Sequence, residues 1–233
     1  MNKGANKLYS KINDKNLNLN YLCEVGVFKP EESNILGFIK DGVETLLVEA
    51  DPNYAQNLSN FFSANKNVKI IEAAVFDYNG TVDLYRRESS TFIGAVESSP
   101  ALVNDRYQLS DDDKFTAKSI IFSEIDKGNI DLISIDIEGA EWFVLKYMKS
   151  LPKVISIETH GKYYINPNIN KINQWMADNN YTIWYLEDSD TIFIKNGLIE
   201  ITTLEKIQLL SKRLKLFIKR QKKLLKKMLG KEV

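Results

Sequence analysis

Asp136 and Glu138 stand two residues apart at the end of one short apolar run, Glu158 and His160 two residues apart at the end of another, and Glu24 and Glu49 lie at the ends of two more. Carboxylates grouped this way beside a single imidazole suit proton transfer and the binding of hydroxyls. An imidazole with an ordinary pKa near 6.5 can take a proton from a hydroxyl at neutral pH. His160 is therefore the best single candidate for a general base, with Asp136 or Glu158 as its partner or as a clamp on the substrate. Asp136, Glu138 and Glu158 with His160 could instead hold a hard divalent cation that binds vicinal hydroxyls. The general-base reading is preferred, because nothing in the sequence fixes an ion's geometry. With 1 His and 1 Cys in the chain, a His-rich metal site, a thiolate zinc site and an internal disulfide are all excluded.

These residues need a scaffold that gathers them, and the apolar pattern supplies one. Short buried runs at Tyr21–Val25, Thr45–Val48, 68–71, 130–135 and 153–157 alternate with helical stretches of about ten residues, as in a parallel sheet covered on both faces. A helix is expected to start at Pro30-Glu31-Glu32 and another at Pro52, since proline is tolerated in a first turn and acids favour its dipole. Between the third and fourth runs, Thr81–Tyr85 alternates with period two after the Asn79-Gly80 turn, which predicts a hairpin-like excursion. Residues 86–113, rich in Ser and carrying Asp111-Asp112-Asp113, are expected to form a long polar loop. The last two strands, 181–186 and 191–195, flank the turn Asp188-Ser189-Asp190. That turn is too short for a parallel crossover, so the final strand must run antiparallel in an otherwise parallel sheet. Tyr163, Tyr164, Trp175, Trp184 and Tyr185 read as core and rim packing.

In an open sheet of this kind ligands bind at the carboxyl ends of the strands. Gly26 ends the first run and allows a sharp turn and close approach to a ligand. Glu49 ends the second, where a carboxylate accepts both hydroxyls of a ribose. The turn lacks the further glycines of a pyrophosphate loop, since Phe28, Lys29, Pro30 and Glu31 fill it. A nucleoside cofactor without phosphates fits better than a dinucleotide, and an oxidoreductase reading is correspondingly weak.

The block Asp131-Leu132-Ile133-Ser134-Ile135-Asp136-Ile137-Glu138-Gly139-Ala140-Glu141 resembles the D-x-x-x-x-D-x-E-G-x-E block of FkbM-type methyltransferases. Glu24-Val25-Gly26, Val48-Glu49-Ala50-Asp51-Pro52, Ala73–Asp77 with Gly80, and Ile157-Glu158-Thr159-His160 agree with that family in order. The resemblance implies a Rossmann-like α/β fold, the seven-stranded methyltransferase sandwich, with S-adenosylmethionine as cofactor and S-adenosylhomocysteine as product. It makes Glu24, Gly26, Glu49, Ala73, Ala74 and Asp136 cofactor contacts. Asp136, Glu138, Glu158 and His160 are then left for catalysis. It also implies O-methylation of a sugar hydroxyl on a surface glycan or its precursor. A non-catalytic binding or scaffold protein that keeps the fold is the alternative.

Charge divides the chain. Of 31 Lys plus Arg and 31 Asp plus Glu, 11 bases and one acid lie from Lys206 onward, so the body carries about ten excess negative charges and the tail about ten positive ones. An acidic body lacks the basic footprint a nucleic-acid binder needs. Residues 1–19, rich in Asn and Lys, are expected to be a loose lead-in, 20–200 the methyltransferase domain, and 204–233 a basic amphipathic helix. Ile207, Leu210, Leu214, Phe217, Leu224 and Met228 recur on one side of that helix. Such a helix suits an anionic membrane surface or a coiled-coil partner. No apolar run is long enough for a membrane span, and a cytoplasmic location follows, with the tail holding the protein at the inner membrane face.

Overall fold

A computed structural model of the chain describes residues 3–87, 90–96, 99–100, 102, 107–161 and 164–228. The apolar runs form strands because both of their faces find cover. In β1 (Tyr21–Val25), β2 (Glu44–Glu49), β8 (Leu132–Ile135) and β9 (Val154–Glu158) nearly every residue is buried. Alternate residues serve opposite layers. Cys23, Val25, Leu46, Val48, Ile133 and Ile135 pack towards α4 (Glu141–Lys146) and α5 (Ile169–Asp178). Leu22, Leu47 and Leu132 pack with residues of α1 (Lys3–Asp14), α2 (Leu36–Lys40) and α3 (Pro52–Phe61). Burying each such side chain contributes about 1.5–3 kcal/mol, which outweighs the indifferent helix propensity of the Asn-rich segments around them.

With β3 (Val68–Glu72), β10 (Tyr181–Glu187) and β11 (Asp190–Lys195) these strands make a seven-stranded sheet of order β10-β11-β9-β8-β1-β2-β3. β11 is antiparallel to both β9 and β10, and the remaining pairings are parallel. The antiparallel last strand expected from the Asp188–Asp190 turn is present, seated between β9 and β10. The excursion after β3 is a second sheet, order β4-β7-β5-β6, of β4 (Ala74–Val75), β5 (Gly80–Arg87), β6 (Ser90–Ile93) and β7 (Lys114–Ile120).

Three expectations change. The lead-in is not loose: Lys3–Asp14 is helical, and Leu8 and Ile12 are buried in the core that Asn and Lys composition had concealed. The loop expected from residue 86 begins as sheet, since Arg86 pairs with Thr91 and Tyr85 with Phe92, with Phe92 and Ile93 buried. The helix expected at Pro30 is a single 3₁₀ turn, Pro30–Glu32, and the crossover continues only as the short α2. Tyr164, Trp184 and Tyr185 are buried as expected and Trp175 packs against the core, whereas Tyr163 and parts of the 86–113 segment lie outside the described residues. The basic tail forms α6 (Thr203–Met228).

Candidate functional site

The turn after β1 is built around a steric necessity. Gly26 has φ +84°, and a Cβ placed on it would stand 1.8 Å from the carbonyl oxygen of Asp136. The ends of β1, β2 and β8 are clasped there by Gly26 N–H to Val48 O (2.9 Å) and Asp136 N–H to Val25 O (3.0 Å). Glu49 stitches the next part of the turn. Its Oε2 accepts from Val27 N (3.0 Å) and Phe28 N (3.1 Å), and its Oε1 from Asp51 N (2.8 Å). Phe28 itself is left-handed at φ +56°, and its ring meets Tyr54 edge-on at 4.5 Å. Glu138 (φ +56°) and Asp188 (φ +38°) are strained in the same sense, and all three line the same cavity. Clustering of costly backbone conformations is a mark of a functional site.

That cavity, about 320 Å³, opens at the carboxyl ends of β1, β2 and β8, within the range used by small-molecule ligands. Glu24, Glu49, Asp136, Glu138, Asp188 and Asp190 all reach it, and no Lys or Arg is among its described walls. Glu24 is buried, accepting from Ser33 Oγ (2.5 Å) and Asn34 N (2.8 Å), yet lost hydration still pushes its pKa up to about 7. Burial, then the neighbouring Asp190, Glu138, Glu141 and Glu24, raise Asp136 well above the carboxylate range. Asp190 is raised to about 6, again chiefly by burial and against a hydrogen bond from Ser156 Oγ (2.9 Å). Ala73 and Ala74, buried at the end of β3 and in β4, line the same space with small side chains.

Next to this cavity Asp136, Glu141 and Glu158 bring one carboxylate oxygen each within 4.8 Å of one another. Glu141 Oε1 accepts from Ile137 N (3.1 Å) and Gly139 N (3.0 Å), while Oε2 takes the Asn166 amide. Glu158 is pushed up to about 11 by burial and then by Asp136, Glu141, Glu138 and Asp190. His160 stands outside both groups. Its Nδ1 is 2.9 Å from the Thr159 hydroxyl, and its N–H donates to Ser189 O (3.2 Å), one layer behind the cavity wall. Burial, with Arg220 and Lys212 of α6 nearby, lowers it to about 4.

A methyltransferase FkbM domain model matches residues 11–183, which takes in the tips of β1, β2, β8 and β9 but not the turn that carries Asp188 and Asp190. The chain belongs to the FkbM methyltransferase family. S-adenosylmethionine is accordingly its cofactor, and its sulfonium and ammonium would be matched by the acids of the cavity, whose described walls include no Lys or Arg. No curated protein matches the chain. Solved structures similar to it include an S-adenosylhomocysteine-bound methyltransferase from Podospora anserina (12% identity, covering 83% of this chain and 78% of that one, TM-score 0.41). Others are an S-adenosylmethionine-dependent methyltransferase from Aquifex aeolicus (10%, 81% and 86%, TM-score 0.40) and the fibrillarin pre-rRNA processing protein of Methanococcus jannaschii (12%, 76% and 67%, TM-score 0.40).

In this FkbM methyltransferase the cofactor contacts expected from sequence, Glu24, Gly26, Glu49, Ala73, Ala74 and Asp136, all line one cavity, with Glu138 beside them. Glu158 meets Asp136 in the adjoining cluster. The sequence shows Asp188 and Asp190 only as a turn, and Glu141 only as the last residue of the block shared with the FkbM family. Their shared signal is position: the β10–β11 turn lies next to the tip of β9, because Asp190 pairs with Glu158 in register.

Proposed function

We propose that the protein methylates a hydroxyl oxygen of a sugar-like acceptor, a glycan or its lipid-linked precursor, at the cytoplasmic face of a membrane. The observation that carries the transfer reading is the acid-walled cavity at the tips of β1, β2 and β8, with no Lys or Arg among its described lining. Glu24, Glu49, Ala73, Ala74 and the Gly26 turn would hold the cofactor, which supplies an electrophilic methyl group when bound and leaves as S-adenosylhomocysteine.

On the acceptor side, carboxylates accept hydrogen bonds and thereby orient hydroxyls. Asp136 sits on the wall shared with the acid cluster and orients the acceptor hydroxyl. Glu138 is only partly buried and takes that hydroxyl's proton as the oxygen–methyl bond forms, passing it to water. His160 is a poorer base in this reading, since it is not among the residues that line the cavity and burial lowers the proton affinity of its imidazole.

The tail supports the location. Leu204, Ile207, Leu210, Leu214 and Phe217 are each more than half exposed on a helix whose other positions are rich in Lys and Arg. At about 1 kcal/mol per basic residue near an anionic surface, plus apolar insertion, the helix has ample reason to bind acidic lipid. No described helix is long and apolar enough to cross a membrane.

Calorimetry with S-adenosylhomocysteine, and methyl transfer from labelled S-adenosylmethionine to sugar acceptors, test the first part. Binding is expected to weaken at least tenfold in Glu49→Ala; failure of the wild type to bind would overturn the reading. Vesicles of acidic lipid should retain the full chain and release it with salt. Indifference to lipid together with self-association through residues 204–233 would replace the membrane with a coiled-coil partner.

A further inference from the structure

We propose that Asp136, Glu141 and Glu158 hold a hard divalent cation, Mg²⁺ or Mn²⁺, which fixes the acceptor hydroxyl beside the cofactor cavity. The role in positioning an acceptor rests on the methyl-transfer reading above; the ion site itself does not.

The spacing fits a shared ion. Oxygens bound at about 2.0–2.1 Å lie about 3 Å apart when adjacent and about 4.2 Å apart when opposite. The three carboxylates offer oxygens within 4.8 Å, so closure onto an ion needs only small side-chain adjustments. Lone pairs remain for it. A carboxylate has about four acceptor positions. Glu141 accepts two backbone N–H groups through Oε1 and the Asn166 amide through Oε2, while Glu158 Oε2 accepts no hydrogen bond.

Charge points the same way. Among the described residues, none of the Lys–carboxylate or Arg–carboxylate pairs includes Asp136, Glu141 or Glu158. Three acids gathered in a largely buried place, with no counter-charge paired to them among the described residues, are strongly unfavourable unless a cation or protons enter.

Two orphaned oxygens border the same place and make a second, separate observation. Glu158 Oε2 is buried without a hydrogen-bond partner, and so is the hydroxyl of Tyr164, a residue only 1% exposed. That hydroxyl stands 3.2 Å from where a Cβ on Gly139 would be, against the loop that carries Asp136 and Glu141, and the acids Glu141, Glu158, Glu138 and Asp136 all act on it. Buried oxygens are seldom left unpaired. An ion with its own waters satisfies both at once: Glu158 as a ligand, and Tyr164 as a partner of a coordinated water. Mg²⁺ in particular keeps several waters, and an acceptor hydroxyl can replace one of them. Coordination makes that hydroxyl more acidic, which eases loss of its proton to Glu138.

Asp136 is the one member of the cluster that also lines the cofactor cavity, so it sets the ion between the two spaces.

The test is Mn²⁺ binding by the full-length protein, followed by electron paramagnetic resonance, with melting curves in parallel. One equivalent should bind and raise the melting temperature. Glu158→Gln, which keeps the shape and removes a charge, should bind Mn²⁺ at least tenfold more weakly and lose the thermal response. Asp136→Asn should behave alike, and Mg²⁺ should displace Mn²⁺ from the wild type. A wild type that binds no Mn²⁺ at millimolar concentration, or variants that bind it equally well, would overturn the site. S-adenosylhomocysteine titrations on the same samples separate the two readings: cofactor binding without Mn²⁺ removes the ion alone, and Mn²⁺ binding without cofactor binding removes the transfer reading alone.

Discussion

At Gly26 the backbone leaves room for one residue type. A left-handed φ is expensive for any residue with a Cβ, and here the added atom would sit at 1.8 Å from a carbonyl oxygen that cannot retreat, since its own strand is paired on both sides. Gly26→Ala should cost about 3 kcal/mol or more and abolish S-adenosylhomocysteine binding, read by urea unfolding and calorimetry; near-native values in both would refute this account of the turn. Gly26, Glu49 and Asp136 were legible in the sequence because strand ends can be located from short apolar runs, and polar residues there have few other uses. Glu49 carried more than was legible. It was read as a ribose acceptor, whereas three of its acceptor positions already hold the turn's backbone N–H groups, and their partners at Val27 and Phe28 are named only by the folded chain. Phe28 hid in a related way, since nothing in its side chain announces a left-handed backbone.

Among the elements, the helix α6 depends on one acid. Thr202 and Glu205 form a reciprocal capping box: Glu205 N–H donates to Thr202 Oγ1 (3.2 Å), and Thr202 N–H to Glu205 Oε2 (3.0 Å). The same carboxylate accepts from Trp184 Nε1 (2.9 Å), Lys11 (2.8 Å) and Lys15 (3.1 Å), so it joins α6 to β10 and to α1. Partial burial works against its charge, but these bonds prevail and hold it well below the usual carboxylate range. Lys11 also lies over the rings of Trp184 and Tyr185. Glu205→Ala should remove about 1–3 kcal/mol, a fall of roughly 3–10 °C in melting temperature, with amide exchange rising first in α1 and α6. Unchanged protection of α1 would show that its buried Leu8 and Ile12 suffice. The capping signal was present as Thr202-x-x-Glu205, but the tie to α1 joins residues nearly the whole chain apart, and so the lead-in looked structureless.

For the molecule as a whole, the acids at the sheet's carboxyl edge and Glu205 act on stability in opposite directions with pH. Glu24 and Glu141 at about 7 and Asp190 at about 6 bind protons more tightly folded than unfolded. Stability tied to them is fully present in mild acid and is lost as pH rises from about 4.5 towards 7. Glu205 is depressed in the folded state, so its contribution is present above its unfolded value and lost as pH falls below about 4.5. The melting temperature in chelator should therefore peak near pH 5 and drop by about 5–10 °C at pH 8, which scanning calorimetry will show. A flat profile would mean that the edge is hydrated rather than buried. Fold class was legible because a period-two or continuous apolar run survives without its neighbours. The charge economy of the edge was not, because it depends on how closely separate tips converge.

The position of β11 also governs the order in which the molecule can be assembled. A chain made from its amino end presents β9 and β10 before the strand that separates them exists. Direct pairing of β9 with β10 would close the gap that β11 must enter, and that pairing would have to be undone. Until Asp190–Lys195 arrives, β9 is left as an unpaired edge and β10 has no neighbour in the sheet, and unpaired edges are association-prone. Asp188 and Asp190 come with that strand, so the binding cavity acquires its last wall at the same moment. An interrupted chain is consequently exposed along β9 and lacks one wall of the cavity.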